Sequence, residues 1–135
     1  MLLSSCISNK NNAPAPNVPE GTFAGRFSLY HLHSKTGVVD TLTANLILNM
    51  ETATGYKVTG DTSTLHAGSY GSYLLNSTYT GIEFIDKTYP ATGTPAKNHL
   101  NGIYEYVYNG TTLQFEATDP ADTLIYFYNF TKTGN

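Results

Sequence analysis

His31 and His33 stand two residues apart in a stretch, Ser28-Leu29-Tyr30-His31-Leu32-His33, whose composition suits a β-strand. Alternate side chains of a strand share a face, so the two imidazoles project to one side. Such a pair is half of a transition-metal site, with His66, His99 or Asp40 as a third ligand. Zinc requires three or four groups converging at about 2.0–2.1 Å. Spacing alone supplies two, so the sequence assigns no metal and no cofactor. A nucleophile with its base is the next chemistry to consider. His66 lies just ahead of Gly68-Ser69-Tyr70-Gly71, but Ser and His entering a strand are ordinary turn residues. The chain has no Gly-x-Ser-x-Gly and no phosphate-cradling glycine loop. Asp119 and Asp122 flank Pro120 and read as turn caps. Carboxylates are scarce in the apolar strands, which leaves no pair for glycoside hydrolysis. The sequence assigns no catalytic residue, and the expected function is non-catalytic.

The sole cysteine, Cys6, has a chemistry set by its place. Leu3-Ser4-Ser5-Cys6 resembles the lipobox of bacterial lipoproteins. The resemblance implies cleavage before Cys6 and a lipid on its thiol. Residues 1–6 then read as the remnant of a signal peptide, since only Met1, Leu2 and Leu3 precede the serines. Residues 7–20, ISNKNNAPAPNVPE, combine asparagines and prolines that suit neither helix nor central strand. They read as a tether with a reach of about 40 Å if extended at about 3.1 Å per residue. The expected location is the cell envelope, lipid-anchored, at the outer membrane of a Gram-negative bacterium.

Seven Lys plus Arg against ten Asp plus Glu, scattered singly, provide no basic patch for nucleic acid. No stretch approaches 18 apolar residues, so no spanning helix is expected. Charged residues are 13% of the chain, about half the usual share. Eleven Tyr, six Phe and many Thr suit half-buried pleated surfaces.

These side chains need strands to position them. Leu42, Ala44, Leu46, Leu48 and Met50 share one parity, which marks a strand with one buried face. Seven further segments alternate similarly: 23–31, 56–59, 69–76, 79–85, 100–108, 112–117 and 123–131. Asn109-Gly110 predicts a two-residue hairpin with positive φ at both positions. Short connections favour an antiparallel meander that closes and so removes its edges. A β-sandwich is the alternative. An internal echo supports repeated hairpins: Gly71-Ser72-Tyr73 leads to Ile82-Glu83-Phe84, and Gly102-Ile103-Tyr104 leads to Leu113-Gln114-Phe115. Gly25-Arg26-Phe27 opens a fainter version. A glycine one pleat before an aromatic leaves room for a neighbouring ring or a sharp bend.

Gly21-Thr22-Phe23 resembles the Gly-x-Trp opening of lipocalins, with Phe23 in place of Trp. The closing Tyr126-Phe127-Tyr128-Asn129-Phe130-Thr131-Lys132 is similar to that of small bacterial lipocalin-like lipoproteins. The resemblance covers 21–132 and implies an eight-stranded barrel plugged at one end by Phe23, with Lys132 stacked on the ring. Eight strands enclose a space either filled by side chains or able to hold one small ligand. Phe27, Leu29, Tyr73, Tyr104, Tyr106, Tyr126 and Tyr128 are the candidate ligand-binding residues. They would line an apolar interior with a few hydroxyls, as small-molecule sites tend to be lined. The expected function is binding of a small, partly apolar ligand in the barrel mouth. The competing expectation is a structural or interaction lipoprotein with a filled barrel. Ile103, Val107, Ile125 and Phe127 have the outward parity and suggest a stripe for a protein partner, unless the loop 86–97 covers it.

Overall fold

A computed structural model describes residues 18–135. Cys6 and tether residues 7–17 lie outside the described residues. Eight antiparallel strands form one closed barrel in chain order: β1 (Gly21–His33), β2 (Val38–Glu51), β3 (Gly55–Gly60), β4 (Tyr70–Leu75), β5 (Gly81–Asp86), β6 (Gly102–Tyr108), β7 (Thr112–Asp119) and β8 (Leu124–Gly134). Closure runs through β1 and β8, where Phe27 faces Tyr128 and Leu29 faces Tyr126. The expected up-and-down barrel is therefore the architecture, and the sandwich is not.

Strand parity sorts the side chains as the period of two requires. On β2, Ala44, Leu46, Leu48 and Met50 are buried and the residues between them are exposed. The interior is a packed stack of rings. Phe84 lies 4.9 Å from Tyr56, 5.2 Å from Phe115 and 5.9 Å from Tyr104. Tyr128 stacks on Phe115 at 4.6 Å and meets Phe27 at 4.8 Å. Ring pairs at such separations add to the apolar area they bury.

Phe23 closes one end of the barrel. It is fully buried and meets Tyr108 edge-on at 5.7 Å, and Lys132 is its cross-strand neighbour on β8. Pro19 and Glu20, expected in the tether, are fastened to this end. The Tyr73 hydroxyl donates to the Pro19 carbonyl at 3.0 Å, and Thr52 donates twice to the Glu20 carboxylate. These bonds, backbone first, hold the Glu20 carboxyl below its ordinary pKa.

The echoed glycines differ in purpose. A Cβ on Gly25 would lie 2.0 Å from the Asn129 carbonyl, and one on Gly71 would lie 1.9 Å from the Ile85 carbonyl. At both positions the neighbouring strand's backbone, rather than a ring, occupies the space. That close approach lets the sheet coil tightly enough to close. Gly102 has open space and a φ of +102°. The Asn109-Gly110 turn also departs from expectation. Only Gly110 takes positive φ, because the Asn109 side chain accepts bonds from the Thr111 and Thr112 amides and caps a longer loop.

Candidate functional site at the barrel mouth

The end opposite Phe23 is closed by two loops, 61–69 and 87–101. They meet as a short parallel bridge between His66 and Asn98. The Ala67 amide donates to the Asn98 carbonyl at 2.8 Å, and the Asn98 amide donates to Leu65 at 2.9 Å. Leu100 is driven fully into the core. Its amide donates to Ser69 Oγ and its carbonyl accepts from the Tyr56 hydroxyl. Burial pushes the Tyr56 hydroxyl far above its ordinary pKa.

His66 is the plug of this lid. It is fully buried, with Nδ1 2.7 Å from the Ala67 carbonyl and Nε2 2.6 Å from the Tyr128 hydroxyl. A carbonyl accepts only, so Nδ1 carries the proton and Nε2 accepts from Tyr128. Burial lowers its pKa to about 4, partly offset by the Ala67 bond. His66 and Ser69 both bond to the Ala67 carbonyl rather than to one another.

Asp86 clasps the second loop. Its carboxylate accepts from the Thr88 amide and hydroxyl at 2.8 and 2.7 Å and lies 2.6 Å from His99 Nδ1. The Asp86 side chain is fully buried. His99 is oriented by this bond, which leaves Nε2 as the remaining polar atom of the ring. Tyr89 packs edge-on against it at 5.4 Å.

Between the clasped loop and the barrel wall lies an open cleft of about 340 Å³. Tyr104, Ala117 and Tyr126 form its strand side, and Tyr89, Pro95, Lys97 and His99 form its loop side. The Lys97 amine donates to the Thr62 carbonyl at 2.8 Å, which ties the two loops across the top. Burial first, then Asp119 and Asp122, raise the pKa of Tyr126.

The seven residues expected to hold a ligand separate into two groups. Phe27, Tyr73, Tyr104, Tyr106 and Tyr128 are buried in the packed core. Leu29 and Tyr126 are half-buried at the mouth. Only Tyr104 and Tyr126 line the cleft. Sequence reading missed Tyr89 and Lys97, because a Pro- and Gly-containing loop has no period that tells which way its side chains point. The outer stripe is present at Ile103, Val107 and Ile125, which are exposed, while Phe127 is half-buried, and the loop 86–97 caps the mouth rather than covering them.

Fold and site together define an eight-stranded up-and-down barrel, filled at its centre and lidded at one mouth. Comparison with family models, curated proteins and solved structures gives no match.

Proposed function

We propose that this protein is a lipid-anchored, non-catalytic binding protein of the bacterial cell envelope that takes a small, partly apolar ligand in its mouth cleft. The carrying observation is the cleft itself. Its volume of about 340 Å³ suits a small ligand. Tyr89, Tyr104 and Tyr126 line it beside His99 and Lys97, which supplies a mixed apolar and polar lining. The rings below it occupy the interior, which favours a ligand at the mouth over one deep in the barrel. Leu3-Ser4-Ser5-Cys6 supports the anchor, and the closed barrel with Phe23 at its plugged end supports a lipocalin-like relationship.

Native mass spectrometry of protein purified from its own membrane tests both parts. Acyl mass on Cys6 and a small-molecule adduct that Tyr126→Ala loses are expected. An unmodified Cys6 in the membrane fraction would refute the anchor. The exposed Ile103 and Val107 favour a second reading, an interaction barrel. On that reading Ile103→Lys with Val107→Lys abolishes capture of a partner, while Tyr126→Ala leaves it intact.

A further inference from the structure

We propose that His31, His33 and Asp40 form a binding site for a divalent transition-metal ion of the zinc class on the rim of the barrel mouth. β3 ends at Gly60, opposite Leu46, so the first half of β2 has no β3 partner and rises with β1 as a ribbon. Gly37, at φ +71°, closes the hairpin at the tip and sets the register in which His33 faces Val38. That register places Asp40 directly opposite His31. Cross-strand partners share a face with Cβ atoms about 4.5–5.5 Å apart, and His33 is one pleat further along the same face.

One ligand atom from each of the three residues lies within 4.8 Å of the others. His33 Nε2 is 2.5 Å from Asp40 Oδ2, and the imidazole centroids are 4.5 Å apart. A tetrahedral ion with bonds of about 2.0–2.1 Å separates its ligand atoms by about 3.3 Å. His33 Nε2 and Asp40 Oδ2 must part by about an ångström to take up that arrangement. The His33 and Asp40 side chains are 43% and 63% exposed, which leaves room for that movement. Two imidazoles and one carboxylate suit zinc, copper or nickel, whereas magnesium and calcium take oxygen donors. The exposed His33–Asp40 contact alone contributes little and leaves the His31 donor unused. Three protein ligands leave a coordination position open. His31 neighbours Leu124, one pleat from Tyr126 of the cleft.

Isothermal titration of the untagged full chain with zinc chloride tests the site, with Cys6→Ser removing the thiol as a competing ligand. One zinc per chain is expected. His31→Asn, His33→Asn and Asp40→Asn should each weaken it at least tenfold, about the scale of losing a supporting contact at a metal site. Glu83→Gln, on the outer wall, should leave it unchanged. In NMR spectra, zinc should move the His31 and His33 ring resonances and leave buried His66 in place. No binding at about 1 mM zinc would overturn the proposal. So would full affinity in any one of the three variants, which would place the ion elsewhere.

Discussion

Acid should loosen this barrel through one histidine. His66 is buried neutral, with a pKa of about 4 in the folded protein against 6.5 when free. Between those values the unfolded chain binds a proton that the folded chain refuses, so stability falls as pH falls from 6.5 to 4 and levels off below. The gap corresponds to roughly 3 kcal/mol, with a slope of up to about 1.4 kcal/mol per pH unit near its middle. Against a typical domain stability of about 5–15 kcal/mol this is a large share. The geometry explains the sign. Protonation places a second N–H at Nε2, facing the Tyr128 hydroxyl at 2.6 Å, in a site where burial disfavours charge. Urea unfolding of wild type and His66→Gln from pH 8 to pH 4 isolates the effect, because the other titrating groups are common to both. Wild type should lead by a constant margin above about pH 7, and that lead should shrink by roughly 3 kcal/mol on the way to pH 4. A margin independent of pH, or a His66 ring resonance titrating near 6.5 in the folded protein, would refute the reasoning.

Other substitutions probe the packing. Gly71→Ala and Gly25→Ala must push back a neighbouring carbonyl now 1.9 or 2.0 Å from the new Cβ. Each should cost about 1–3 kcal/mol in urea unfolding. Tyr106 carries a buried hydroxyl with no hydrogen-bond partner among the described residues. Tyr106→Phe should leave the melting temperature unchanged or raise it, whereas Tyr128→Phe, which strands His66 Nε2, should lower stability by about 1–3 kcal/mol. Asp86→Ala removes the acceptor for Thr88 and His99, at about 1 kcal/mol or more per bond. Hydrogen exchange should then accelerate in the loop 87–101 before it does in the strands.

The strands were legible because burial on one face imposes a period of two, which β2 follows closely, although β1 buries Phe27 and Ser28 side by side. The same rule overreached at Leu42. Its parity is inward, yet it is 56% exposed, because β2 runs beyond the point where β3 ends. Tyr104 and Tyr126 of the cleft were legible from parity in the same way. His66 was not. It reads as a turn residue in the sequence, and only the bridge between two non-periodic loops drives it into the core. The cluster of His31, His33 and Asp40 depended on a hairpin register. The sequence reading ended the first strand near His31 and began the second at Leu42, so nothing fixed what lay across from His31.

The central claim is that a small ligand is held at the mouth rather than inside the barrel. NMR of tyrosine-labelled protein, titrated with a small-molecule extract of its own membranes, tests it most directly. Shifts should fall on Tyr89, Tyr104 and Tyr126 and be lost in Tyr126→Ala. Shifts centred on Tyr73 and Tyr106, or none at saturating extract, would contradict it.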